Sequence, residues 1–224
     1  KFFFPQLRVA TNIDGIEWRR DKWNRVAKIF LRLSEKLAVG YSDVTICDNR
    51  CITDYVHNVY GTSAVTIAYG GDHAIQVDHN STAGTFCYTK LERYFLSICR
   101  IEPENNVELI LKAFSESGKN LIFVGNWSAS SYGRRLKQVY SGLENLELLD
   151  PIFCAKTLHK LRFECLAYVH GHSAGGTNPS LVEIMHFGVP ILAFDCEFNR
   201  ETLHHNGYFF STLNDLKNGI LGSY

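Results

Sequence analysis

Residues 168–195 gather side chains suited to anion and sugar chemistry. His170 and His172 flank Gly171, further glycines stand at Gly175 and Gly176, and Thr177, Asn178 and Ser180 lead on to Glu183. A loop of small residues that runs into a helix start leaves main-chain N–H groups free to receive phosphate oxygens. Thr177, Asn178 and Ser180 add side-chain donors. Glu183 has two readings. A carboxylate one turn into the helix can accept hydrogen bonds from sugar hydroxyls, and the Ser180-x-x-Glu183 spacing also fits a capping box. The two histidines have a spacing found in metal sites, but no neighbouring carboxylate or Cys completes a ligand set, so no metal is expected. Taken alone, a glycine-rich turn of this kind is more often a plain strand-to-helix connection.

Three other places could serve the same chemistry. Arg100 ends an apolar run, where a guanidinium can hold diphosphate oxygens bidentately. Asn126 and Trp127 follow Gly125 at the end of another apolar run. Asp14 and Glu17 lie in a turn after a short strand and face either a second substrate or simply solvent.

The elements that must position these residues alternate. Strands are expected at residues 7–11, 44–47, 65–69, 94–99, 121–124, 146–149, 166–170 and 191–194. Helices are expected between them, including a long amphipathic one over residues 18–39. Its apolar Val26, Ile29, Phe30, Leu33 and Leu37 should pack inward and its Arg and Lys residues face out. Strands separated by helices at this spacing imply right-handed crossovers and parallel sheets. The polar stretch 78–84 reads as a linker, dividing the chain into 1–84 and 85–224. The chain starts at Lys1 without an initiator Met and stops at Tyr224 in mid-element, so a piece of a longer protein is expected.

Composition narrows the class. The chain has 224 residues, 46% apolar and 21% charged, enough to bury a core. With 23 basic and 23 acidic residues it is formally neutral, which argues against a chain built to bind nucleic acid. Seven scattered cysteines with no CxxC pair are not a disulfide framework and fit a reducing cytoplasm. No apolar run approaches the roughly 18 residues of a membrane span. The basic side of the long helix could meet an anionic membrane surface.

Five motifs in order carry a resemblance to a known family. They are Asn12-x-Asp14-Gly15-x-Glu17-Trp18-x-Arg20-x-Lys22-Trp23, Ala68-Tyr69-Gly70, Arg100-Ile101-Glu102-Pro103-Glu104-Asn105-Asn106, Gly125-Asn126-Trp127, and residues 170–180 followed by Leu181-x-Glu183-x-Met185-x-x-Gly188-x-Pro190. Together they resemble the retaining GT-B glycosyltransferases of family 4, and most closely a bacterial rhamnosyltransferase-like subgroup of surface-polysaccharide synthesis.

That resemblance implies an α/β fold of GT-B type: a nearly complete Rossmann-like donor domain, without its C-terminal crossing helix, preceded by the last part of a second Rossmann-like domain. It implies transfer of a hexose or deoxyhexose, L-rhamnose first among them, from a nucleoside diphosphate such as dTDP to a glycan or lipid-linked acceptor. The expected place is the cytoplasm, peripheral at the inner face of the plasma membrane. Arg100, Asn126, Gly175, Gly176, Thr177, Asn178, Ser180 and Glu183 would bind the donor. Asp14, His170 and His172 would act at the reacting centre, Glu17 would orient the acceptor, and no cofactor is needed. The chain departs from the wider family twice. Asn105 stands where a Lys is usual, and Gly175 stands where a first Glu precedes Glu183 by eight residues. The piece alone is expected to be inactive. A nucleotide-sugar epimerase on the same fold, and a non-catalytic nucleotide-sugar binding module, are the competing readings.

Overall fold

The computed structural model describes residues 6–76 and 89–222. The expected linker, residues 78–84, lies outside them. Strands β1 (Ala10–Ile13), β2 (Val44–Cys47) and β3 (Ala64–Thr66) form a three-stranded parallel sheet in sequential order, with helices α1 (Arg25–Tyr41) and α2 (Arg50–Tyr60) as its crossovers.

Six further strands make a second parallel sheet: β4 (Phe95–Ile98), β5 (Leu121–Val124), β6 (Leu146–Leu149), β7 (Ala167–His170), β8 (Ile191–Phe194) and β9 (Tyr208–Phe210). Their order is β6-β5-β4-β7-β8-β9. The chain moves outward from β4 to β6, then returns to β4's other side and moves outward again. This is the doubly wound pattern, and its reversal point lies between β4 and β7. Helices α3 (Val107–Ser117), α4 (Ser131–Tyr140), α5 (Ala155–Glu164), α6 (Pro179–Met185), α7 (Glu197–Thr202) and α8 (Leu213–Gly222) connect and close the strands.

Strands β5 and β7 are buried at every position, as apolar runs covered on both faces should be. Alternation with period two splits their side chains between two cores. Phe95 and Phe123 join Phe114 and Trp127 on one side, while Leu96 and Ile122 join Tyr168 and Leu181 on the other.

Three expectations needed correction. The first strand is β1, beginning at Ala10 and not at residue 7. The long helix begins at Arg25, because Asn24 accepts the Ala27 N–H and caps it there, while Glu17–Arg19 form a separate 3₁₀ turn. The helix is also turned over. Val26, Ile29, Phe30, Leu33 and Leu37 are each more than half exposed, and the face towards the sheet carries Ala27, Leu31, Ala38 and the buried Val39. The elements α7, β9 and α8 were not anticipated.

At the reversal point Gly171 follows β7 so closely against the turn after β4 that an added Cβ would lie 2.1 Å from the Asn105 carbonyl oxygen. The clash is with main chain on an anchored turn. Gly171→Ala is therefore expected to destabilise the protein by about 1–3 kcal/mol, whereas Gly142→Ala, with nothing within 4 Å, should be close to neutral. Denaturant unfolding of the two variants checks this.

Candidate functional site

Arg100 and residues 171–176 leave the sheet from adjacent strands at the reversal point, where open α/β sheets hold ligands. Asn105 fixes their relation. Its Nδ2 donates to the Arg100 carbonyl (2.6 Å), and its Oδ1 meets His172 Nδ1 at 2.7 Å. Asn106, at φ +50°, donates to the Gly171 carbonyl (2.8 Å), and the Ser173 N–H and hydroxyl both donate to the Glu104 carbonyl. Where the wider family pattern puts a cation, this chain has a neutral amide that stitches the two strand ends together.

The Asn105 contact also sets the imidazole of His172. Because Asn105 Oδ1 is an acceptor, His172 Nδ1 carries the proton, and Nε2 is left as a lone-pair acceptor facing Gly175. Burial, with the charges of Arg20 and Arg100, lowers the His172 pKa to about 4. His170 is buried on the strand itself, its Nε2 has no partner among the described residues, and burial and His172 lower its pKa to about 3. Both histidines are neutral at physiological pH. They can orient a hydroxyl, but they carry no charge to a leaving diphosphate.

The glycine-rich loop packs directly on the first sheet. A Cβ on Gly15 would lie 3.1 Å from Gly175 Cα, and one on Gly176 would lie 2.4 Å from Asp48 Oδ1. The Thr177 N–H donates to Asp48 Oδ2 (2.8 Å), the Thr177 hydroxyl donates to the Asp48 carbonyl (3.0 Å), and Asn49 Nδ2 donates to Thr177 Oγ1 (3.1 Å). Asp48 is 3% exposed, and its Oδ1 has no hydrogen-bond partner among the described residues. Burial pushes its carboxyl up to about 6 against the pull of the Thr177 amide, and Asp14 adds to the rise. Asp48 was absent from the residues singled out by sequence. It directly follows β2 at the edge where ligands bind, a position that could have marked it.

The other expected residues fall into three groups. Asp14 is exposed at the cleft, with its carbonyl beside Gly176. Arg100 is 65% exposed and, among the described residues, has only a loose ion pair, 3.9 Å, to Glu102. Together with Ile98, Gly125, Asn126, Pro151, Ile152 and Leu158 it borders a cavity of about 470 Å³. Asn178 and Ser180 are used locally: Asn178 Oδ1 accepts from the N–H and the hydroxyl of Ser180, capping α6.

Two carboxylates are held in ion pairs. Glu183 accepts from the buried Arg162 and lies 3.0 Å from His73 Nε2. Glu17 is partly buried, which raises its pKa, but hydrogen bonds from Lys22, Arg20 and Trp23 outweigh this and hold it at about 2. Arg20 also pairs with Glu104, a second link between the two parts of the chain. Trp127 is a core residue: it is fully buried, edge-on to Phe123, and donates to the Leu149 carbonyl. Among the described residues no three His, Cys, Asp or Glu come together as a metal site.

Comparison with known proteins decides the family. The model of the glycosyl transferases group 1 matches residues 89–220, more than half of the chain. The chain belongs to this family. A domain of unknown function, DUF1972, matches residues 6–72. No curated protein matches the chain.

Solved structures share the fold at low identity. HepE of Anabaena, in complex with UDP-glucose, is 16% identical with a TM-score of 0.73 over 97% of this chain and 63% of its own. TarM of S. aureus is 16% identical with a TM-score of 0.72 over 96% of this chain and 43% of its own. Sucrose-phosphate synthase of Thermosynechococcus elongatus is 14% identical with a TM-score of 0.71 over 98% of this chain and 59% of its own. The chain thus spans 43 to 63% of the length of these structures. The α/β architecture of parallel sheets is that of GT-B glycosyltransferases.

The buried histidines set a pH dependence. Unfolding lets both bind protons below about 6.5, so each removes stability as pH falls towards its folded value of about 3 or 4. Asp48 acts oppositely: its folded pKa of about 6 lies above the ordinary 3.8, so it adds stability as pH falls through that window. Between about pH 6 and 4.5 two losses meet one gain. The melting temperature should fall with falling pH, and His170→Leu should flatten the fall, as calorimetry at several pH values will show.

Proposed function

We propose that the protein is the donor-binding part of a retaining glycosyltransferase that moves a hexose or deoxyhexose from a nucleoside diphosphate to a glycan or lipid-linked acceptor. The observation that carries this is the convergence of an exposed Arg100, the glycine-rich loop, and Asp14 just after the first strand beside one reversal point. The base would occupy the largely apolar cavity beside Gly125 and Asn126. Arg100 would hold the diphosphate, and the loop would face the sugar. In transfer between phosphate and hydroxyl, positive charge and fixed N–H dipoles stabilise the leaving oxygens without a cofactor. His172 Nε2 and Asp14 would orient hydroxyl groups. Glu183 would reach the ribose while keeping Arg162 as its counter-ion.

L-Rhamnose carried on dTDP is the donor we favour, on the resemblance of residues 12–23 and 170–180 to the rhamnosyltransferase-like subgroup. A cytoplasmic place at an anionic membrane surface accords with α1, whose exposed apolar stripe is bordered on one flank by Arg25, Arg32 and Lys36. Among the described residues no helix is long and apolar enough to cross a membrane.

Calorimetry with dTDP, UDP and GDP tests the donor site. Binding of dTDP is expected to be tightest, and Arg100→Ala should weaken it about tenfold or more with an unchanged melting temperature, since the side chain is exposed. Absence of binding to all three at millimolar concentration would sink the reading. Vesicles containing anionic phospholipid should sediment the protein, and Phe30→Asp should abolish this. An acceptor-independent turnover of nucleotide-sugar by the full-length protein would instead favour an epimerase.

A further inference from the structure

Asp48 places a buried carboxyl at the contact between the glycine-rich loop and the first sheet. Its Oδ2 accepts the Thr177 N–H and its carbonyl accepts the Thr177 hydroxyl, both across the junction. Its Oδ1 is buried, with no partner among the described residues. Gly176 closes over the carboxyl so tightly that a Cβ there would collide with both oxygens. We propose that Asp48 is a proton-operated latch on this junction. With the carboxyl neutral the loop stays shut on the first sheet; with it charged the loop lifts and water reaches Oδ1. The proposal does not depend on the glycosyltransferase reading.

Three observations support it. First, a charged oxygen buried without a donor is costly. A proton relieves that cost with the junction shut, whereas water relieves it only with the junction open, because Gly176 covers the atom.

Second, burial outweighs the contact that favours charge. The Thr177 N–H is a better partner for a carboxylate than for a neutral acid. Burial, with Asp14 adding to it, nevertheless holds the carboxyl at about 6 against an ordinary 3.8. Lifting the loop removes the burial and the Thr177 bond together and returns the group towards its ordinary value.

Third, the surrounding groups do not neutralise the carboxylate. They are Asp14 after β1, Cys47 at the end of β2, Arg50 on α2, Tyr69 after β3, and Glu201 and His204 at the end of α7. Asp14 and Glu201 can add only negative charge. Burial raises the pKa of both Cys47 and Tyr69, and Asp48 raises them further, so each stays neutral. Arg50 and His204 are exposed, where water and salt screen charge.

The closed junction holds the Asp48 proton at about 6 and the open one near 3.8, so falling pH favours closure through that window. Between about pH 7 and pH 5 the closed-to-open ratio should rise about tenfold through Asp48 alone. His172, on the same loop, acts the other way wherever opening wets its neutral ring, and the His73–Glu183 contact also crosses the junction. Asp48→Asn keeps both of these, so comparison with this variant isolates Asp48.

Hydrogen exchange of the Thr177 amide, followed by NMR on the full chain between about pH 7 and pH 5, tests the latch. Asparagine keeps an oxygen for the Thr177 N–H and does not titrate. The wild-type-to-variant ratio of Thr177 protection is expected to rise about tenfold as pH falls across this range. The same ratio at Ser173, whose N–H donates to the Glu104 carbonyl within the second part of the chain, should change less than about twofold. A Thr177 ratio that also stays within about twofold overturns the proposal. An equal rise at Ser173 overturns it too, since it reports unfolding of the whole chain and not opening of the junction. If Asp48→Asn fails to fold, the wild-type Asp48 carboxyl carbon decides. A midpoint near 6 that coincides with the change in Thr177 protection upholds the latch. A midpoint of about 4 or below overturns it.

Discussion

Main chain meets main chain where the glycine-rich loop crosses onto the first sheet, and the geometry of the cleft depends on that contact. Gly15 lies against Gly175, and Gly176 against Asp48 and the Asp14 carbonyl. A side chain at these glycines would hold the two sheets apart. The approach lets Asp48 reach the Thr177 N–H, and Asn49 reach the Thr177 hydroxyl. The loop is therefore shaped as much by the sheet it faces as by the strand it leaves. Arg20 with Glu104 adds a further link across the same junction. A partly buried ion pair of this kind fixes an arrangement more than it adds stability.

Charge in the cleft follows from burial. Two histidines at the strand end are kept neutral by their surroundings. Arg162 is neutralised by Glu183, and Arg20 by Glu17 and Glu104. Arg100 stays exposed with a distant counter-ion. Positive charge is thus available to an incoming anion at the end of β4, next to a cavity of apolar walls. The first sheet contributes carboxylates and a phenol, groups that suit hydroxyls better than phosphate. The two sides of the junction differ in what they can hold.

Much of this fold is visible in the sequence because parallel strands covered on both faces are near-continuous apolar runs. Residues 44–47, 121–124, 146–149 and 191–194 are strands at the positions expected, and the strand-end residues Arg100, His170 and Gly171 followed directly. Helix α1 was misread because its hydrophobic period is genuine but its direction is not written in it. Period identifies an apolar stripe, and only tertiary packing decides whether small residues such as Ala27 and Ala38 win the inner face. Asp48 and the Arg162–Glu183 pair were missed for a related reason. Their partners lie 129 and 21 residues away, and no local pattern marks a carboxylate that will be buried.

Gly175 carries one more implication. Its φ of +106° is a backbone state that residues with a side chain rarely adopt, and the next residue, Gly176, lies against Asp48. A side chain placed there would push the loop towards another backbone course, and with it would shift the main-chain contact that joins the loop to the first sheet.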